Sequence, residues 1–182
     1  MVHGTMPLMT LRHSSKHISF ETILRALNLA KVKYAIGGGV AVTLHGFSRS
    51  TADLDLFVDF SKGNFKKFIR AIKPLGYRPR VPISMDSLAI VDQRNEWRQK
   101  KGAVVLTFLP TTGIAPEIDV FTDKALTSKI LQHAHSSVLG PLRVKLVSIN
   151  ELIKMKKKAN RPIDLQDIDM LSRIKRQKNH EI

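Results

Sequence analysis

The chain has no cysteine among its 182 residues. That excludes disulfides, thiolate nucleophiles and cysteine-ligated zinc, and it fits a reducing compartment. Acidic side chains are scarce: fifteen Asp and Glu stand against thirty Lys and Arg, giving a net charge of +15 and a pI near 10.3. A balance so one-sided favours contact with polyanions, whether RNA, DNA, nucleotides or an acidic protein. Long apolar runs are missing as well. The opening "MVHGTMPLMTLRHSSKHISF" holds no continuous apolar stretch of the kind a secretory signal needs, and no later run could span a bilayer. A cytoplasmic protein without membrane contact is expected. Internal repeats and low-complexity tracts are also absent.

What remains is ordinary globular material, with a hydrophobic content of 43% and length enough for one domain with a buried core. Residues 1–17 read as a polar, flexible lead-in, 18–146 as the core, and 147–182 as C-terminal helices with a basic tail packed on it. The pattern in "SFETILRALNLAKV" predicts a helix with Ser19 and Glu21 at its start. "KYAIG" reads as a short strand, and "GVAVTLHG" as a short helix closed by Gly46. "ADLDLFVDF" alternates with period two, so Leu54, Leu56 and Val58 share one face while Asp53, Asp55 and Phe57 share the other. "GNFKKFIRAIKPLGY" is a basic amphipathic helix stopped by Pro74 and Gly76. An irregular "RPRVPIS" follows, then a helix through "MDSLAIVDQRNEWRQKKG". Strands are expected in "AVVLTFLP" and "PEIDVFT", and two more about Gly140-Pro141. A Ser148-x-x-Glu151 capping box opens a helix, and "DLQDIDMLSRIKR" forms the last. The fold class expected is α/β (α+β), a mixed and partly antiparallel sheet with helices packed on it.

Chemistry concentrates between Gly37 and Asp55. Residues two apart on a strand face the same way, so Asp53 and Asp55 set two carboxylates side by side. Such a pair repels unless a proton or cation intervenes, and Mg²⁺ suits carboxylates combined with substrate phosphates. Glycines opening a short helix let phosphate oxygens reach backbone N–H groups and the positive helix end. Together the two features read as a nucleoside triphosphate site. Taken singly, each has a plainer reading: a glycine turn used for packing, and two aspartates merely solvated on an open face.

The combination resembles the nucleotidyltransferase superfamily that includes DNA polymerase β, whose signature is Gly-Gly or Gly-Ser, a spacer, then Asp-x-Asp or Asp-x-Glu. Within it, "GGVAVTLHGFSRSTADLDLFV" is most similar to abortive-infection type nucleotidyltransferases, the enzymatic halves of certain bacterial toxin–antitoxin pairs. The matching positions are Gly38-Gly39, Ala41, His45-Gly46, Arg49, Thr51 and Asp53-Leu54-Asp55. "PEIDVF" supplies the superfamily's third carboxylate in Asp119. "KMKKKANRPIDLQDIDML" is similar to a later segment with Arg161-Pro162, Asp164 and, in register, Lys156. The likeness runs from about Phe20 to about Leu171.

The resemblance implies transfer of an NMP from an NTP to a hydroxyl, with two Mg²⁺ ions (Mn²⁺ the alternative) held by Asp53, Asp55 and Asp119. Asp119 would also help deprotonate the acceptor. Gly38 and Gly39 would cradle the β- and γ-phosphates, with Arg49 and Lys156 as the nearby cations. Gly39 replaces the serine of the Gly-Ser version, so no hydroxyl contributes there. Each supporting residue has a second reading: Arg49 as an ion-pair partner of an aspartate, Lys156 as part of a solvated run, and Asp164 and Asp167 as anchors for the last helix. His45 reads as a structural histidine and Trp97 as a core residue or a base-stacking one. The charge favours RNA as acceptor over a polycationic aminoglycoside, with a protein the alternative, and the resemblance implies tRNA as one such RNA and a cognate antitoxin as partner. The competing reading is a non-catalytic basic RNA- or protein-binding module that retains the fold.

Overall fold

The computed structural model describes residues 17–90, 104–111 and 113–180. Helix α1 (Phe20–Leu29) begins where the Ser19 side chain accepts from the Thr22 N–H, and it buries Ile23, Leu24 and Leu27. Strand β1 (Tyr34–Ile36) is buried throughout. Helix α2 (Gly38–His45) ends at Gly46, whose φ of 122° takes the chain out of the helix. Strand β2 (Leu54–Val58) leads into α3 (Lys62–Ile72), which turns Phe65, Phe68, Ile69 and Ile72 inward. A 3₁₀ turn at Lys73–Leu75 and Gly76 at φ 81° stop it. Strand β3 (Tyr77–Pro79), the short helix α4 (Met85–Leu88), β4 (Val105–Pro110) and β5 (Ile118–Phe121) follow. Then come α5 (Lys124–Gln132), β6 (His135–Leu139), β7 (Leu142–Leu146), α6 (Ile149–Ala159) and α7 (Pro162–His180).

The seven strands form one sheet in the order β3-β4-β5-β2-β1-β7-β6. β2 lies parallel to β5 and β1 parallel to β7, while the other four pairings are antiparallel. The parallel register sets Leu54 beside Ile118, Asp55 beside Asp119 and Leu56 beside Val120. One face of these central strands is therefore fully apolar. On the other face, Phe57 stacks on Phe121 with ring centroids 4.5 Å apart, next to the two aspartates. Helices cover both faces, which is why Phe57 is buried although it shares a face with Asp55. Among the described residues no helix is long and apolar enough to cross a membrane.

Two elements depart from the sequence reading. Arg78 and Pro79, expected to be irregular, join Tyr77 in the edge strand β3, where the absence of a Pro79 N–H costs no ladder bond. Three residues with a proline carry too little periodicity to announce a strand. Helix α5 falls where no element was expected. Asp123 caps it by accepting from the Leu126 N–H, and Ile130 is its buried anchor. The expected helix through "MDSLAIVDQRNEWRQKKG" is described only as α4, and Trp97 lies outside the described residues.

Candidate active site

The site grows from the meeting of β1, α2 and β2. The Gly37 N–H donates to the Asp55 carbonyl at 2.8 Å, which ties the turn after β1 to the neighbouring strand. Gly38 then takes φ +54°, and a Cβ there would lie 1.7 Å from Asp55 Oδ2. The backbone passes against the carboxylate so closely that only glycine fits. At Gly39 a Cβ would come within 2.6 Å of Thr51 Oγ1. No side chain caps the start of α2, so its first N–H groups lack the usual capping acceptor, and the positive helix end faces the carboxylates.

Asp55 is half-buried on β2, Asp53 is exposed just before the strand, and Asp119 is level with Asp55 on β5. Burial, with Asp119 and then Asp53 adding repulsion, pushes the Asp55 carboxyl up to about 6, against partial relief from Lys156 and Arg161. Thr107, opposite Asp119 on β4, donates its hydroxyl to Asp119 Oδ1 at 2.6 Å and fixes that carboxylate. No spacing rule in the sequence singles out Thr107, because its role exists only through strand pairing.

The facing wall comes from α6 and α7, joined through Asn160 in the left-handed region at φ 50°. Lys156 is buried there and ion-paired to Asp164 Oδ1 at 3.2 Å and Asp167 Oδ2 at 2.6 Å. The same Asp167 oxygen accepts from Arg49 Nη1 at 2.7 Å. Arg161 grips Asp164 from its backbone N–H and its guanidinium. Burial alone would raise the Asp164 carboxyl, but hydrogen bonds from Arg161 and Lys156 outweigh it and hold it at about 2. Arg49 and Lys156 are thus fixed by carboxylates of α7, and Asp53 and Asp55 are not their ion-pair partners. His45 Nε2 lies 2.8 Å from the Val147 carbonyl, a structural contact.

Gly38, Gly39, Arg49, Asp53, Asp55, Asp119 and Lys156 all line one cleft of about 260 Å³. Thr51 and Arg161 line it too. Asp167 supports it from behind, a role legible only once α7 is packed. Five carboxylates meet three cations here, leaving two negative charges inside a strongly basic molecule. No group of three His, Cys, Asp or Glu side chains among the described residues is already gathered as a metal's ligand set. The donor chemistry nonetheless fits a hard divalent cation: the carboxylates share one wall, one of them resists ionisation, and neither His nor Cys lines the cleft among the described residues. A larger cleft of about 760 Å³ lies at the far end of β2, beside Asp59 and Lys33, and holds none of these residues.

The mixed sheet with its covering helices is a nucleotidyltransferase fold, and two of the solved structures that share this fold with the chain are antibiotic-bound. The lincosamide antibiotic adenylyltransferase LnuA, bound to lincomycin, is 14% identical over 87% of this chain and 99% of its own, with a TM-score of 0.53. ANT(2″)-Ia, in complex with adenylyl-2″-tobramycin, is 15% identical over 83% of this chain and 84% of its own, with a TM-score of 0.50. No protein-family profile matches the chain, and no curated protein matches it in sequence.

Proposed function

We propose that this chain is a divalent-metal-dependent nucleotidyltransferase that moves an NMP from an NTP onto a hydroxyl acceptor, with RNA such as tRNA the preferred acceptor class. One observation carries the reading: Asp55 and Asp119 sit level on parallel strands while the Gly38 backbone presses on Asp55 Oδ2, so carboxylates and an uncapped helix start share one wall. Asp53, Asp55 and Asp119 would hold two Mg²⁺, or Mn²⁺ in their place. When bound, such ions neutralise a triphosphate and stabilise the attacking and leaving oxygens.

The chain's own groups do the rest. Backbone N–H groups at Gly38 and Gly39 receive phosphate oxygens, and Arg49 and Lys156, pinned by Asp167, set a cationic edge to the cleft. Asp119 takes the proton of the acceptor hydroxyl, and Thr107 keeps that carboxylate in place. The acceptor oxygen bonds to the α-phosphorus as the α–β bridging bond breaks, and pyrophosphate leaves. Fold similarity to an antibiotic adenylyltransferase and to a protein solved with adenylyl-2″-tobramycin supports transfer in general. The resemblance to abortive-infection nucleotidyltransferases supports a toxin role with a cognate antitoxin as partner.

The test is incubation with each of four α-³²P-labelled NTPs and Mg²⁺, offering total RNA, a protein extract, lincomycin and tobramycin as acceptors. RNA labelling by the wild type, lost in Asp53→Ala/Asp55→Ala, is the expected result. Label on an antibiotic or a protein would replace the acceptor class, and no label on any acceptor would contradict the enzyme reading.

A further inference from the structure

Helix α3 carries a charge pattern that the cleft does not use. Its sequence, "KGNFKKFIRAI", contains no acid. Its buried side holds Phe65, Phe68, Ile69 and Ile72, which leaves Lys62, Lys66, Lys67 and Arg70 exposed on the outer side. Lys62, Lys66 and Arg70 succeed one another at four-residue intervals, and Lys67 lies three before Arg70. Neighbours of like charge at these spacings destabilise a helix. Among the described residues the neighbouring acids are engaged elsewhere: Asp86 pairs with Lys73, Glu21 with Arg25, and the Asp59 carboxylate accepts the Ser61 N–H. Among the described residues none of the four has a carboxylate partner.

The first turn of α3 is nevertheless rigidly placed. Buried Asn64 accepts from the Lys33 N–H and donates to the carbonyls of Lys33 and Asp59, which brings exposed Lys33 to the start of the strip. The other end is placed by topology. β2 runs away from Asp53, and α3 runs back along the sheet to the 3₁₀ turn before β3. Tyr77, the first residue of β3, donates its hydroxyl to the Pro116 carbonyl, just ahead of the strand that carries Asp119. The Arg70 end of α3 therefore returns to the same end of the sheet as Asp53 and Asp119, on the opposite face, since Phe68 packs on Phe108 of β4 while the adjacent Thr107 turns to Asp119. From Lys62 to Arg70 the helix rises about 12 Å, the axial length of roughly three to four nucleotides of one strand.

We propose that the outer face of α3, bearing Lys62, Lys66, Lys67 and Arg70, is a phosphate track on which a single-stranded RNA acceptor lies, its last nucleotides passing round that end of the sheet to bring the terminal hydroxyl to the cleft. The proposal rests on the RNA-acceptor reading above. A polyanion on this face would relieve the uncompensated charge, and the strand has to be unpaired for its end to leave the helix and reach Asp119.

The test measures binding of a fluorescent single-stranded 20-nucleotide RNA against KCl concentration, without NTP or divalent metal. For wild type and for Lys62→Gln/Lys66→Gln/Lys67→Gln/Arg70→Gln, the slope of log affinity against log salt is compared. Each lost phosphate contact removes about 0.7 from that slope on a single strand, so the variant should lose between about two and three. Its affinity should fall at least about tenfold at moderate salt, while Lys62→Arg/Lys66→Arg/Lys67→Arg keeps both. A melting temperature at low salt no lower than wild type shows that the Gln variant is folded. Lys175→Gln/Arg176→Gln/Lys178→Gln on α7 is the comparison for general charge. An unchanged slope in the α3 variant, or an equal loss in the α7 variant, overturns the track. RNA binding that persists in Asp53→Ala/Asp55→Ala keeps this result separate from the enzyme reading, which falls only if labelled transfer is absent.

Discussion

Asp55 is held against its own ionisation. Its carboxyl stands near 6 in the folded chain against an ordinary 3.8, because burial and two neighbouring carboxylates disfavour the charge. Between about pH 4 and 6 the unfolded chain has given up this proton while the folded chain keeps it, so stability falls as pH rises through that window and stays lowered above it. Asp55→Asn should remove the fall and, in EDTA at pH 7.5, raise the melting temperature by about 5 °C, on the order of 2 kcal/mol. Calorimetry across pH 4–8 checks this, and a lower melting temperature in the variant would contradict it. The glycines permit a paired comparison. Gly38→Ala must fit a Cβ 1.7 Å from Asp55 Oδ2 at φ +54°, and urea denaturation should show a loss above about 2 kcal/mol together with weaker NTP binding. Gly63 faces open space inside α3, so Gly63→Ala should stabilise by up to about 1 kcal/mol. Equal effects at the two positions would count against the close approach at Gly38.

At the scale of elements, α7 acts as the lock on the cleft. Asp167 lies 1% exposed and bridges Arg49 and Lys156, so Asp167→Ala would leave a buried lysine short of one partner and an arginine without its own. A loss of about 3–5 kcal/mol in urea denaturation is expected, with a rise in KM for the NTP in the fraction that folds. Asp164 has the opposite pH sign to Asp55: its stabilisation is present above about pH 4 and fades as pH falls toward about 2. The sequence announced most elements through periodicity and caps, α1 by Ser19 and α6 by Ser148 among them. β3 and α5 escaped because one is a three-residue edge strand and the other a short helix with a single strongly buried anchor. Lys156 could be aligned from sequence, but its burial could not be read. Within "KMKKKA" only tertiary packing distinguishes the lysine that turns inward from Lys157 and Lys158, which stay exposed. The meeting of Asp55 with Asp119 was expected only through the family resemblance, since the parallel register that sets them level is long-range and leaves no periodicity in the sequence.

Across the whole molecule, the net charge of +15 conceals a division of labour. The cleft is acidic enough to call for cations, while α3 displays an unbroken basic face, and overall charge reveals neither. The most direct measurement of the central claim is Mn²⁺ binding by electron paramagnetic resonance, with and without each of four non-hydrolysable NTP analogues, in wild type and in Asp55→Asn/Asp119→Asn. The account predicts that at least one analogue tightens Mn²⁺ binding about tenfold or more in the wild type, and that the double variant loses this coupling while remaining folded. Equal Mn²⁺ affinity in the two proteins, with every analogue, would contradict it.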